Sequence, residues 1–164
     1  KVLQSSAALQ THAFASLLKY LLGIGVLSPM HDEVLMRYYG CGLIAPEALK
    51  SARFLDLGCG AGRDVYALPQ MVAEQGFIGG GDMTDEQLDV ARTHQDHHRD
   101  AYGYAKSNVE FHKESIERLE DLPLDLTSFD IIVFNCVVNL ATDKLEVLRP
   151  AFNLLKAGRV DVFL

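Results

Sequence analysis

Arg53-Phe-Leu-Asp56-Leu-Gly58-Cys-Gly60-Ala-Gly62-Arg-Asp64 is the stretch on which the architecture turns. Residues 53–57 are a short apolar run of the kind that forms a buried strand, and the run stops at glycines. Residues 63–74 then place Val65, Leu68, Val72 and Ala73 at helical spacing. A buried strand, a glycine turn and an amphipathic helix in succession open an α/β unit.

The same alternation continues downstream. Residues 77–82 read as a second strand, weakened by Gly79, Gly80 and Gly81 because glycine lacks packing surface and costs backbone entropy. Thr84-Asp-Glu-Gln87 has the form of a capping box and predicts a helix from Thr84 to about Arg99. Residues 108–112 give a third strand, and residues 129–134 a fourth, an apolar run broken by Asp130. Residues 143–156 are predicted helical with Leu145, Leu148, Phe152 and Leu155 on one face, and residues 159–164 open a fifth strand. This spacing implies right-handed crossovers and a Rossmann-like fold: an open, mostly parallel sheet with flanking helices. Ligands bind such sheets beyond the carboxyl ends of the strands.

Upstream, residues 1–50 read as an N-terminal helical segment ending near Pro46, and residues 51–164 as the Rossmann-like domain. The mostly apolar segment 13–27 contains Lys19 and is shorter than the roughly 20 residues of a membrane span. No small-residue cleavage pattern follows it, so it reads as a core or interface helix and no membrane partner is expected. The 164 residues, 49% hydrophobic and 23% charged, suit one soluble domain. A net charge of −7 without a Lys/Arg run argues against a nucleic-acid partner, which requires a basic footprint. Cys41, Cys59 and Cys136 are odd in number and far apart, which describes free thiols in a reducing cytoplasm rather than a disulfide framework.

The glycine loop carries the first chemistry. A dinucleotide fingerprint would read Gly-x-Gly-x-x-Gly. Here the third glycine, Gly62, comes one residue early and Arg63 fills the fingerprint's last place. Gly58-x-Gly60-x-Gly62 led by Asp56 is instead the form that binds S-adenosylmethionine, with Asp56 helping to hold the ligand's ammonium. Asp82 ends the second strand 22 residues after Gly60, where a carboxylate can accept from both ribose hydroxyls. Its other reading is a turn aspartate that caps the helix at Thr84. Met83 then lies near the adenine, or is core filler. After the third strand, Ile116 can pack on the adenine. Glu117 either joins that site or sits on an exposed helix pairing with Lys113. Cys136 follows the fourth strand, where an acceptor would meet the sulfonium, although buried filler is the common fate of a free cysteine. Glycines flank Cys41, which favours a loop that places a side chain, while Cys59 reads as a small residue that fits.

Tyr38-Tyr-Gly-Cys41-Gly-Leu, residues 56–64, Asp82-Met-Thr and Asn135-Cys136-Val-Val-Asn139-Leu together resemble the arsenite methyltransferases, and the Asp143-Lys144 pair and Val147-Leu148 also fit. The likeness covers residues 1–11 and about 31–164. The resemblance implies S-adenosylmethionine as methyl donor, arsenite or methylarsenite as substrate, and glutathione or thioredoxin as thiol reductant. It implies that Cys41 and Cys136 are the catalytic, arsenic-binding thiols and adds Asn135 to the cofactor-binding set. Soft trivalent arsenic selects thiolates. Its lone pair is the nucleophile in a displacement at the methyl carbon, so no general base is required and the six histidines receive no role. His94, His97 and His98 hint at a metal, but their spacing equally suits a solvated helix face.

Three departures stand out. Phe14 occupies the place of a family cysteine after Leu9-Gln10-Thr11; Lys156-Ala-Gly-Arg159 replaces a Lys-Pro-Gly-Gly; and the chain ends where the family continues through further strands and another arsenic cysteine. The expectation is a fragment or divergent short form whose fifth strand is an exposed edge, inviting self-association. Two other readings remain: a methyltransferase for another small acceptor, with structural cysteines, or a non-catalytic module that binds S-adenosylmethionine or arsenite.

Overall fold

A computed structural model describes residues 29–39, 50–122, 128–157 and 161–163. The described elements are α1 (Asp32–Met36), β1 (Arg53–Leu57), α2 (Arg63–Ala67), α3 (Pro69–Val72), β2 (Phe77–Asp82), α4 (Asp85–Thr93), α5 (Gln95–Tyr102), β3 (Val109–Lys113), β4 (Ile131–Phe134), α6 (Lys144–Leu154) and β5 (Asp161–Phe163). Single 3-10 turns cover Leu119–Asp121 and Val138–Leu140. The helix expected at 13–27 and the Cys41 loop lie outside the described residues. Of the segment expected to be helical up to Pro46, Asp32–Met36 is helical while residues 37–39 are not.

Five parallel strands form one sheet in the order β3-β2-β1-β4-β5. The chain winds outward from β1 through β2 to β3, then returns to the other side of β1 for β4. The order therefore reverses between β1 and β4, and a crevice opens at their carboxyl ends. β1 and β4 are buried almost end to end because helices cover both faces of the sheet. Phe54, Val65, Tyr66, Ile78 and Leu88 fill one face, while Leu55, Leu57, Phe129, Ile132 and Val147 fill the other. Val34 of α1 is fully buried in the first cluster, so α1 packs into the domain core.

The structure corrects several expectations. The glycines of β2 do not interrupt it, for it pairs along its length with β1 and β3. A Cβ on Gly80 would lie 2.9 Å from both Cys59 Sγ and the Phe111 ring, so the close approach of the glycine loop requires a bare backbone there. The helix expected over 63–74 breaks into α2 and α3 at Pro69, which lacks an N–H and cannot continue a preceding turn. The helix expected from Thr84 breaks at His94 into α4 and α5 and runs on to Tyr102, where Gly103 closes it at φ 71. Thr84 is the N-cap, but its side chain makes no capping bond. In α6 the Asp143 carboxylate accepts from the backbone N–H of Leu145 and Glu146, and the buried face is Val147, Ala151 and Leu154, with Leu155 just beyond the helix also buried and Leu148 packed against the second core cluster. Leu145 is 68% exposed and Phe152 39%. Of the expected row, Leu148 and Leu155 therefore meet the core while Leu145 and Phe152 do not. Asp130, which interrupts the fourth apolar run, is a structural acid: it accepts from Arg53 N–H at 2.9 Å and Lys156 Nζ at 2.7 Å, at the end of the sheet away from the crevice.

Candidate functional site

The loop after β1 is tied to the end of β2 first through the backbone. Gly58 N–H and Cys59 N–H both donate to the Gly81 carbonyl, at 2.7 and 3.0 Å. Gly58 has φ 81, and a Cβ there would sit 2.4 Å from Val137 Cγ1. Gly62 has φ 83, and a Cβ would lie 2.8 Å from the Phe111 ring. Both positions therefore demand glycine by conformation and by space. Around Gly60 a Cβ would meet nothing within 4 Å, because this residue faces the crevice.

Asp82 joins the loop to the helix that follows. Its Oδ2 accepts from Gly60 N–H at 2.8 Å and its Oδ1 from Thr84 N–H at 2.9 Å. The ligand-binding and turn-capping readings of this residue are thus geometrically compatible, since each carboxylate oxygen retains a lone pair toward the crevice.

The crevice is lined by Asp56, Gly58, Gly60, Asp82, Asn135 and Cys136, among others. Asp56 is only 2% exposed, and its Oδ1 makes no hydrogen bond among the described residues. Burial pushes its carboxyl well above the ordinary carboxylate range, and the neighbouring Asp64 and Asp82 push it further. Gln87 Oε1 is likewise buried in the crevice wall without a hydrogen bond. Orphaned acceptors beside three carboxylates suit a ligand that brings positive charge and hydrogen-bond donors. S-adenosylmethionine, with its ammonium, sulfonium and ribose hydroxyls, fits that donor set.

A second wall is built from side chains far apart in sequence. Asn135 Nδ2 donates to Asp64 Oδ2 at 2.9 Å and to the Tyr38 hydroxyl at 3.3 Å. The Arg63 guanidinium stacks 3.7 Å from the Tyr38 ring centroid, and its Nη1 lies 3.4 Å from Asp64 Oδ1, an ion pair without a hydrogen bond. Burial outweighs Arg63 and Asn135 and raises the Asp64 carboxyl to about 6. An acid raised in the folded state binds its proton more tightly folded than unfolded. Its stabilising contribution is complete below the ordinary value near 3.8 and is lost as pH rises through about 6. Asp64→Asn should remove this slope, leaving the variant more stable than the parent by about 1–3 kcal/mol at pH 7.5 and less so at pH 5. Urea unfolding across that range measures it, and parallel pH profiles for the two proteins would refute it.

The other residues named from sequence are placed as follows. Cys136 is exposed, borders the crevice and has φ 63, a strained value for a residue with a side chain. It is held in a disulfide, where the sequence had suggested a free thiol. Cys59 is a free thiol whose ionisation burial pushes well up, so it is an inert packing group. Met83 is 71% exposed and, like Ile116 and Glu117, is not among the described crevice residues. Ile116 packs against the second core cluster. Glu117 accepts from Thr142 N–H at 3.3 Å, and Lys113 pairs with Asp85 instead of Glu117.

Of the three helical histidines only His97 is exposed to solvent. His98 is 1% exposed, stacks on Tyr66, and has its imidazole pushed down to about 4 by burial. His94 stacks on His31, since α1 docks across α4 and α5. Sequence reasoning quoted Tyr38, Arg63 and Asp64 within motifs without giving them a chemical role, and it overlooked Gln87, whose only local signal was its place in the capping box.

Comparison with known proteins adds the following. The family described as "Methyltransferase domain" matches residues 48–162. An arsenite methyltransferase of Aquipseudomonas alcaligenes is 50% identical over 161 residues, covering 96% of this chain and 45% of that protein. The arsenite methyltransferase of Mus musculus is 43% identical over 159 residues, covering 96% of this chain and 42% of the mouse protein. The crystal structure of an arsenic (III) S-adenosylmethionine methyltransferase from Chlamydomonas reinhardtii superposes with a TM-score of 0.78 at 41% identity, over 82% of this chain and 45% of that one. The chain thus spans less than half the length of these relatives.

Proposed function

Because this chain belongs to the methyltransferase-domain family, we propose that it binds S-adenosylmethionine in the β1/β4 crevice and presents trivalent arsenic, held on thiolates, for methylation. The observation that carries this reading is the convergence of Asp56, Asp82 and Cys136 on one crevice, with Asp82 bonded to the glycine loop. When bound, S-adenosylmethionine supplies an electrophilic methyl group that an arsenic lone pair can accept without a general base. Asp56 holds the ligand's ammonium, directly or through water. Asp82 accepts from the ribose hydroxyls, and the Gly58–Gly62 backbone lets the ligand approach without a Cβ in the way. Asn135, tied to Asp64 and Tyr38, positions the segment that carries Cys136. The domain is residues 51–164, with α1 of the preceding segment contributing to its core.

Cys136 and Cys41 supply soft donors to arsenic. A thiol locked in a disulfide cannot bind arsenic, so Cys136 must first be reduced. Glutathione or thioredoxin is the reductant of choice, and a small thiol can complete the arsenic's coordination. This chemistry suits a reducing compartment such as the cytoplasm. No described helix is long and apolar enough to cross a membrane.

Isothermal titration of the reduced protein tests the two halves separately. S-adenosylhomocysteine should bind the parent, Cys41→Ser and Cys136→Ser proteins with the same affinity. Arsenite or methylarsenite should bind the parent at least about tenfold more tightly than either variant. Undiminished arsenic binding by both variants would remove the arsenic assignment and leave a methyltransferase for another small acceptor. Transfer of labelled methyl to arsenite in the presence of glutathione separates catalysis from binding alone.

A further inference from the structure

Apart from the residues that line the crevice, at the N-terminal end of α1, four histidines and a glutamate come together from two parts of the chain. His31 caps α1, its Nδ1 accepting from Glu33 N–H at 3.3 Å. The His31 ring stacks on that of His94 with centroids 3.6 Å apart, and His94 Nε2 lies 2.9 Å from Glu33 Oε2. One donor atom each from His31, Glu33 and His94 lies within 4.8 Å of the others.

We propose that His31, Glu33 and His94 form a binding site for a divalent cation of zinc type, which fastens α1 to α4 and α5. Two imidazoles and one carboxylate are the donor set that borderline divalent cations take, with water completing a tetrahedral site. Zinc–ligand bonds are about 2.0–2.2 Å, so donors within 4.8 Å of one another must draw in, and the stacked His31 and His94 rings must tilt apart to aim both in-plane lone pairs at one ion.

The surroundings support both imidazole-bearing segments. His98 Nδ1–H donates to the His94 carbonyl at 2.7 Å, and its Nε2 accepts from His31 N–H at 3.3 Å. One buried imidazole thus bridges the backbones of two proposed ligands, the kind of outer support that fixes ligand orientation. His97 stands edge-on to His31 and donates from Nε2 to the Pro29 carbonyl at 3.1 Å, which steadies the approach to α1. The ordinary competing role is an N-cap with a His–Glu pair beside it, which needs no cation and gives none a reason to bind.

The test uses the full chain carrying Cys41→Ser and Cys136→Ser, so that thiolates do not compete, after removal of metal with a chelator. Zn²⁺ titration should show one site per chain, Co²⁺ should give visible absorption at the same stoichiometry, and Zn²⁺ should raise Tm. Adding Glu33→Gln or His94→Gln should weaken Zn²⁺ binding at least about tenfold and abolish the Tm rise. Glu33 is a half-exposed surface residue, so its variant keeps the test informative if His94→Gln fails to fold. No Zn²⁺ binding by the parent, or equal binding by the parent and the Glu33→Gln variant, overturns the proposal.

Discussion

Asp82→Ala should weaken S-adenosylhomocysteine binding by at least about a hundredfold, the largest effect expected of any single substitution in the crevice. Hydrogen bonds to a charged acceptor contribute about 1.5–3 kcal/mol each, and in the proposed binding mode the carboxylate accepts two from a ribose. Removing it also releases Gly60 N–H and Thr84 N–H, which it now holds at 2.8 and 2.9 Å, so the loop and the start of α4 lose their common anchor. Asp82→Asn keeps an acceptor of the same shape and should recover part of the affinity. Calorimetry with S-adenosylhomocysteine and a thermal melt of each free protein separate ligand contact from loop collapse. Wild-type affinity in Asp82→Ala would leave the residue a turn cap and nothing more.

Gly62→Ala carries the largest expected effect on stability. The left-handed backbone at φ 83 costs a non-glycine residue about 1–2 kcal/mol. Overlap with the Phe111 ring adds an overpacking cost of about 1–3 kcal/mol. Phe111 is buried between β2 and α2 and has little freedom to retreat. A loss of about 2–5 kcal/mol is a large part of the 5–15 kcal/mol that holds an ordinary domain together. Gly60→Ala is the matched control: its Cβ meets nothing within 4 Å, so it should pay the backbone cost alone. Denaturation midpoints decide the matter, and equal losses in the two variants would show that the Phe111 contact does not govern this position.

The order of strands and helices, the parallel sheet, the glycine loop and the acid 22 residues beyond it were all readable from the chain alone. They depend on spacing within short windows: an apolar run for each buried strand, helical periodicity between runs, and a turn that only glycine makes without strain. Pro69 was an equally local signal, and it places the break between α2 and α3 that apolar spacing by itself had bridged.

Tertiary structure alone decided that Val147, Ala151 and Leu154 join Leu148 and Leu155 against the core while Leu145 and Phe152 face out, because helical periodicity admits more than one apolar row and only the opposing surface separates them. It also decided that Asn135 meets Asp64 across 71 residues of sequence and that His31 meets His98 across 67. No local pattern encodes such meetings. They follow from the crossover that returns the chain to β4 and from the docking of α1 on α4 and α5, where hydrophobic burial places the backbones and the polar groups then pair with whatever lies opposite.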